Sequence, residues 1–226
     1  GRDIPQFRPI VDRFVQGDPD ALLLVEFAED AAENRRRLSG LHDVMADLGY
    51  AFDDPGKRAG GVVEAEDPAF QAEIWSVRAQ GLNIMMSMKS EGKPVSFVED
   101  CAVELKDLGE FTDRLTRVFH KHGTDGTWYA HASVGLLHVR PVLNLKQDVG
   151  LKAMRAIAEE AFEIVAEYKG SHSGEHGDGL VRSEFHEKMF GQRMVRSFEA
   201  VKDRFDPAGR FNPGKIVRPP KMDDRA

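Results

Sequence analysis

Four residues in two short stretches have side chains that could hold a metal ion and move a proton. His131 and His138 lie in the segment HASVGLLHVR, and Glu175 and His176 adjoin each other in SGEHGDG. Two imidazoles and a carboxylate are a common ligand set for a divalent metal that keeps an open coordination position. The remaining histidine could act as a general base, because imidazole titrates near neutral pH.

The spacing of the two histidines sets a condition on the backbone. Residues an odd number of positions apart on a straight strand point to opposite faces, so His131 and His138 would diverge. Gly135 lies between them and predicts a tight turn or bulge, which would make a hairpin and bring both rings to one side. Spacing alone leaves open the alternative that these are isolated structural histidines.

A cationic side chain adds a further possible contact with a substrate. Arg78 follows Trp75 by about one turn in PAFQAEIWSVRAQGL, a segment with helical spacing of its apolar residues. A guanidinium group can bind a carboxylate through two hydrogen bonds at once. The alternative for Arg78 is an ordinary salt bridge within the protein.

Strands and helices alternate along the chain. Strand patterns occur in ALLLVEFA (21–28), PVSFVEDCAVEL (94–105) and TWYAHASVGLLHVRPVLNL (127–145). Helical spacing predicts helices over 29–49, 68–82, 108–122, 149–170 and 193–205. Several strand pairs are joined too closely for a wholly parallel sheet. The pattern therefore predicts an α+β fold, with an antiparallel sheet and helices mainly on one face.

Composition narrows the class of protein. The chain has 226 residues and a net charge of -7, which argues against nucleic-acid binding because that needs clustered basic residues. Cys101 is the single cysteine, so an internal disulfide is excluded and a reducing compartment fits. No apolar run approaches the roughly 20 residues of a membrane span. We expect a cytoplasmic domain of a longer protein, and leave open peripheral association of that protein with the inner membrane.

Two longer stretches carry a family resemblance. SGEHGDGLVRSEF followed by FDPAGRFNPGKIV closely resembles the end of the flavin-dependent 2-hydroxy-acid dehydrogenases of the vanillyl-alcohol-oxidase type. HASVGLLHVRPVLNLK is similar to the large bacterial fusions of this flavoenzyme with an iron–sulfur module, of the D-2-hydroxyglutarate or D-lactate dehydrogenase kind. The resemblance implies a ferredoxin-like C-terminal substrate or cap domain over residues 1–217, with 218–226 as a linker to a following domain.

The resemblance also implies roles for individual residues. It assigns the metal, usually zinc, to His131, His138 and Glu175, the catalytic base to His176, substrate contacts to Arg78 and Lys93, and an approach to the flavin to Asn212 and Lys215. Two positions depart from the usual pattern. Arg140 stands where an asparagine is usual, and Leu82 stands where a threonine is usual. An added arginine favours a substrate with more than one carboxylate, so we expect Arg140 to contact it.

The activity implied is oxidation of a D-2-hydroxy acid, of the 2-hydroxyglutarate or lactate type, to the 2-oxo acid. Hydride would pass to FAD held mainly by an upstream domain, and a 4Fe-4S cluster would lie in a downstream domain. The isolated chain is expected to be colourless and inactive, and a homo-oligomer is left open. The alternatives are a non-catalytic metal-binding or interaction module of the same fold, and a zinc hydrolase, against which the NPGK ending argues.

Overall fold

The computed structural model describes residues 5–81 and 89–224. The chain divides into two compact units, Gly1–Ile84 and Met85–Ala226. The first unit contains helices α1 (Arg8–Phe14), α2 (Ala31–Asp47) and α3 (Pro68–Ala79). The side chains of Asp30 and Asp67 accept backbone N–H groups at the starts of α2 and α3, as N-cap residues do. The predictions of these last two helices are therefore confirmed.

The strand predicted over 21–28 is wrong. The segment has no regular secondary structure, and its apolar side chains are exposed except for the half-buried Phe27, with Leu23 at 81%. A strand needs a hydrogen-bonded neighbour. The described part of the first unit offers only an isolated bridge between Tyr50 and Arg58. An apolar run is consistent with a strand, but it does not show whether a neighbouring strand is present to pair with it.

The second unit builds a small sheet around one long strand. Its elements are β1 (Lys93–Pro94), β2 (Cys101–Ala102), α4 (Leu108–Lys121), β3 (Gly126–His131), β4 (Leu136–Leu143), α5 (Asp148–Glu167), α6 (His186–Phe190) and α7 (Gln192–Phe205). Strand β4 pairs antiparallel with β1, β2 and β3. The α+β prediction is thus confirmed, although within the strand predicted over 94–105 only Pro94 and Cys101–Ala102 belong to strands that pair with β4.

The two faces of the β3–β4 hairpin have different roles. Alternate residues of β4, including Leu137 and Val139, belong to the buried core with apolar side chains of α4 and α5. Trp128 pairs with Val139 across the hairpin, and its ring lies 5.7 Å from Phe119 of α4. The intervening residues of β4 point to the other face. Helices therefore cover one face, and His138 lies on the other.

The turn between β3 and β4 determines where the histidines point. Gly135 has φ 71°, and a Cβ there would lie 2.0 Å from the carbonyl oxygen of Val103. Across the hairpin Tyr129 pairs with His138, and His131 pairs with Leu136. His131 and His138 are therefore diagonal neighbours on one face, as the predicted turn at Gly135 requires.

Strand β2 carries the cysteine. Cys101 is completely buried, and burial raises the pKa of its thiol to about 12. The thiol donates a hydrogen bond to the carbonyl of Val98, with Sγ and O separated by 3.2 Å. Cys101 is therefore a core residue.

Across residues 5–81 and 89–224, we find no helix with the length and apolar character needed to cross a membrane.

Candidate functional site

The structure brings His131, His138 and Glu175 together. Glu175 Oε1 lies 2.9 Å from His138 Nε2 and 3.6 Å from His131 Nε2, and the two imidazole centroids are 5.1 Å apart. Bonds of about 2.0–2.2 Å to a shared zinc ion place ligand atoms about 3–4 Å from one another. Glu175 is therefore within shared-ion distance of each histidine. Among the described residues, however, the potential ligand atoms that all lie within 4.8 Å of one another belong to Asp100, His138, Glu175 and His176, and His131 is not in this group. The binding of a metal by His131, His138 and Glu175 stays a prediction.

The protonation state of His138 suits a metal ligand. Burial, with a smaller effect from the neighbouring His176, lowers the pKa of His138, so the ring is neutral at physiological pH. Its Nδ1 is buried and has no hydrogen-bond partner among the described residues. A neutral imidazole keeps a lone pair for a metal. Two imidazoles and a carboxylate are also a donor set that zinc accepts, so these residues fit the metal that the family resemblance implies.

His176 lies against the same group. Its ring stacks on His138 with centroids 4.8 Å apart, and its Nε2 is 3.3 Å from Glu175 Oε1. Its Nδ1 is 3.1 Å from Glu99 Oε1. A carboxylate can only accept a hydrogen bond, so Nδ1 carries a proton. Nε2 faces the Glu175 carboxylate, and it offers the lone pair that a general base needs when a metal ion, instead of this nitrogen, engages Glu175. His176 also contributes a potential ligand atom to the group that it forms with Asp100, His138 and Glu175.

A buried ion pair supports His176 from the other side. Arg140 Nη2 donates to Glu99 Oε2 at 2.9 Å, and both side chains are mostly buried. Burial opposes ionisation of Glu99, but the hydrogen bonds from Arg140 and His176 outweigh it and lower the pKa of Glu99. Arg140 therefore lies near the site with its charge paired to Glu99. Its predicted contact with substrate stays a prediction. Sequence analysis did not identify Glu99.

Asp100 holds the loop that presents Glu175 and His176. It is completely buried with φ 83°, and its carboxylate accepts the backbone N–H groups of both residues at 2.9 Å. Its carbonyl accepts the N–H of Gly174 at 2.7 Å, and a Cβ on Gly174 would lie 2.4 Å from Leu136 Cδ1. Sequence analysis also missed Asp100. The only signal was a pair of acids after the apolar run PVSFV.

The other predicted site residues of the second unit lie in separate elements. Lys93 pairs with Leu143 in β4, five positions beyond His138, which corresponds to roughly 17 Å along a strand. Asn212 and Lys215 lie in an exposed turn after α7. The predicted roles of Lys93, Asn212 and Lys215 stay predictions.

Arg78 belongs to the first unit. It lies in the last turn of α3, and its guanidinium carbon is 4.8 Å from the ring centroid of Trp75. The predicted helix and the neighbouring pair are therefore present, while the substrate contact stays a prediction. Leu82, the second departure from the usual pattern, lies outside the described residues.

Comparison with known proteins shows the family to which the chain belongs. Residues 6–216 match the sequence profile of FAD linked oxidases, C-terminal domain. The chain is 30% identical over 202 residues to the D-2-hydroxyglutarate dehydrogenase of Pantoea ananatis, covering 88% of this chain and 19% of that protein. It is 34% identical over 146 residues to the protein of the same name from Haemophilus influenzae, covering 65% and 14%.

A relative with another name is similar over a shorter region. The D-lactate dehydrogenase of Anaerostipes hadrus is 28% identical over 157 residues, covering 69% of this chain and 32% of that protein. The chain thus spans no more than a third of any of these three relatives. The profile match nevertheless covers nearly the whole chain, and the chain belongs to the family of FAD-linked oxidase C-terminal domains.

Proposed function

We propose that this chain is the substrate- and metal-binding half of a flavin-dependent dehydrogenase. The reaction is oxidation of a D-2-hydroxy acid, of the 2-hydroxyglutarate or lactate type, to the 2-oxo acid. The observation that carries the proposal is the convergence of His131, His138, Glu175 and His176 on the hairpin face opposite the helices. Family membership and the names of the relatives support the same reaction class.

The metal is assigned to His131, His138 and Glu175. When bound, zinc would act as a Lewis acid toward the hydroxyl and carboxylate oxygens of the substrate. The partial exposure of His131 and Glu175, at 39% and 45%, leaves an approach for the substrate from solvent. The buried His138 would supply the least mobile ligand of the three.

The removal of the proton from the substrate hydroxyl is assigned to His176 Nε2. Glu99 holds the opposite nitrogen of this ring, and Arg140 holds Glu99. The carboxylate of Glu99 stabilises the imidazolium that forms when the base takes a proton, as the acidic partner of a catalytic histidine does. Glu99 is thus a positioning residue in this proposal, whereas Arg140 holds Glu99 and is also assigned a contact with the substrate.

FAD is assigned mainly to an upstream domain of the parent protein, and when bound it would supply the acceptor for hydride from the alpha carbon of the substrate. Asn212 and Lys215 are assigned to the edge of the flavin pocket. Helix α7 exposes Met194, Val201 and Phe205, the last at 83%, and such an apolar surface suits contact with another domain. A downstream iron–sulfur domain is assigned to the onward transfer of electrons. Contacts with the substrate carboxylates are assigned to Arg78, Lys93 and Arg140. The parent protein is assigned to the cytoplasm.

Flavin reduction in the full-length protein tests the proposal. Under anaerobic conditions D-2-hydroxyglutarate or D-lactate should bleach the oxidised flavin, and the L-enantiomers should not. His176→Gln should prevent bleaching without changing zinc content, whereas His120→Gln, an exposed histidine on α4, should have no effect. Intact flavin with every 2-hydroxy acid, in a protein that still binds zinc, would contradict catalysis and favour the non-catalytic metal-binding module.

A further inference from the structure

A second group of metal-binding residue types is buried in the second unit. We call His172, Asp178 and His186 the closed cluster, and the four residues His131, His138, Glu175 and His176 the open cluster. The side chain of His172 is fully buried, and that of His186 is 3% exposed. Asp178 lies between them, with Oδ1 3.2 Å from His172 Nε2 and Oδ2 2.9 Å from His186 Nε2.

The closed cluster contains polar atoms that lack partners. His172 Nδ1 and Nε2, His186 Nε2 and Asp178 Oδ1 are buried without a hydrogen-bond partner among the described residues. Buried polar atoms in native proteins are nearly always paired. The surrounding rings of Phe162, Phe190 and Phe198 offer no polar partner. A cation between the two Nε2 atoms and Asp178 would satisfy three of the four atoms at once.

The protonation of His186 at Nδ1 also favours a cation in the closed cluster. Its Nδ1 lies 3.1 Å from the carbonyl oxygen of Ile216, which can only accept a hydrogen bond. Nε2 of the same ring faces Asp178 Oδ2 at 2.9 Å, so either a proton or a metal ion must lie between these two atoms. An outer N–H donated to a carbonyl is the usual way in which a metal-bound histidine is oriented.

We propose that the closed cluster is a structural site for a divalent metal ion of the zinc class. One potential ligand atom from each of its three residues lies within 4.8 Å of the other two. Imidazole nitrogen and carboxylate oxygen suit zinc, and Asp178 completes four-coordination through its second oxygen. Structural zinc sites are closed to solvent, whereas catalytic ones keep an accessible position.

The ion would tie together three segments of the chain. His172 precedes the glycine-rich loop, Asp178 lies within it, and His186 is the first residue of α6. The same loop carries Glu175 and His176, so a metal in the closed cluster would hold the backbone that presents the open cluster.

Zinc titration of the chelator-treated 226-residue chain tests the proposal. The double variant His131→Ala/Glu175→Gln disables the open cluster through two partly exposed side chains. It should still bind one zinc ion per chain, and its melting temperature should rise with zinc concentration because the ion binds the native state. Addition of Asp178→Asn, which preserves shape, should abolish this binding. Addition of Asp125→Asn, at an 86% exposed side chain, should preserve it.

The double variant separates this site from the proposed function. If it binds no zinc, or if its binding survives Asp178→Asn, the closed cluster is not a metal site. If it and the unaltered chain both bind one zinc ion, the closed cluster stands and the metal role of the open cluster fails. Should Asp178→Asn prevent folding, the histidine side-chain 15N spectrum of the double variant decides. Zinc must shift the Nε2 resonances of His172 and His186, and unshifted resonances overturn the proposal.

Discussion

The open and closed clusters both combine histidines with a carboxylate, but they differ in solvent exposure, although His138 of the open cluster is itself buried. His131, Glu175 and His176 are between 39% and 45% exposed, whereas His172 is fully buried and His186 nearly so. One loop contributes to both clusters, through Glu175 and His176 in one and Asp178 in the other. Residue type therefore does not distinguish a site that could turn over a substrate from a site that could only hold the fold. Solvent access does.

The largest expected effect belongs to the open cluster. His176→Gln in the full-length protein should lower kcat by about 10²–10⁴-fold, the usual contribution of a positioned general base. Stopped-flow measurement of flavin reduction checks this value. Asp178→Asn should lower the rate much less, since the closed cluster does not touch the substrate. Equal losses in the two variants would remove the functional difference between the clusters.

Asp100 supports the loop shared by the clusters, so its loss should damage both. Asp100→Ala removes the acceptor of two backbone N–H groups and a carboxylate 3.8 Å from Arg182 Nη2. We expect the free energy of unfolding to fall by about 3–5 kcal/mol, as when one partner of a buried charge is removed. Urea denaturation checks this, with Asp125→Ala as an exposed control. A change below about 1 kcal/mol would show that the loop is held without Asp100.

The closed cluster should make stability depend on pH in metal-free protein. The pKa of His172 is about 4 when folded and 6.5 in the unfolded reference. Between these values the unfolded chain binds a proton that the native ring does not, so stability falls as pH decreases. The loss should total about 3 kcal/mol across the interval.

Urea denaturation in chelator from pH 7 to pH 4 measures this slope. His172→Phe should flatten the pH dependence by about one proton, because it removes the titrating ring, whereas His131→Phe in the open cluster should flatten it less. An unchanged slope in His172→Phe would show that His172 is not the group responsible.

The smallest expected effect is that of Glu99, which positions the proposed base His176. Glu99→Gln keeps the shape of the side chain but weakens its hold on His176 Nδ1 and leaves Arg140 without its carboxylate. Loss of an outer partner of this kind usually costs about 10–100-fold in activity. KM should change less than kcat, because Glu99 acts through His176. A loss confined to KM would make Glu99 a substrate contact.

The sequence predicted the second unit better than the first. Helices α4, α5 and α7 follow from apolar spacing, and the hairpin follows from Gly135 between two strand-like stretches. These signals are local. The segment 21–28 shows the limit, since a strand exists only with a partner and apolar composition does not name one.

The site shows the same limit at the level of side chains. His131, His138, Glu175 and His176 could be selected because their types and neighbours are unusual. Glu99 and Asp100 could not, because their roles arise from tertiary contacts more than 40 positions away along the chain. The closed cluster was not predicted for a similar reason. Its residues lie in and on either side of the SGEHGDG stretch, but the burial of both histidines and the contact of Asp178 with His186 arise only from tertiary packing.

Alkylation of Cys101 can report local opening of the native protein. Thiolate is the species that reacts with alkylating reagents, and a thiol with a pKa of about 12 supplies almost none of it while β2 remains paired. Reaction at Cys101 must therefore wait for local opening next to Asp100, so its rate counts opening events in the native protein. The same inertness allows a single cysteine introduced at the surface to be labelled with a fluorophore while the native one stays unmodified.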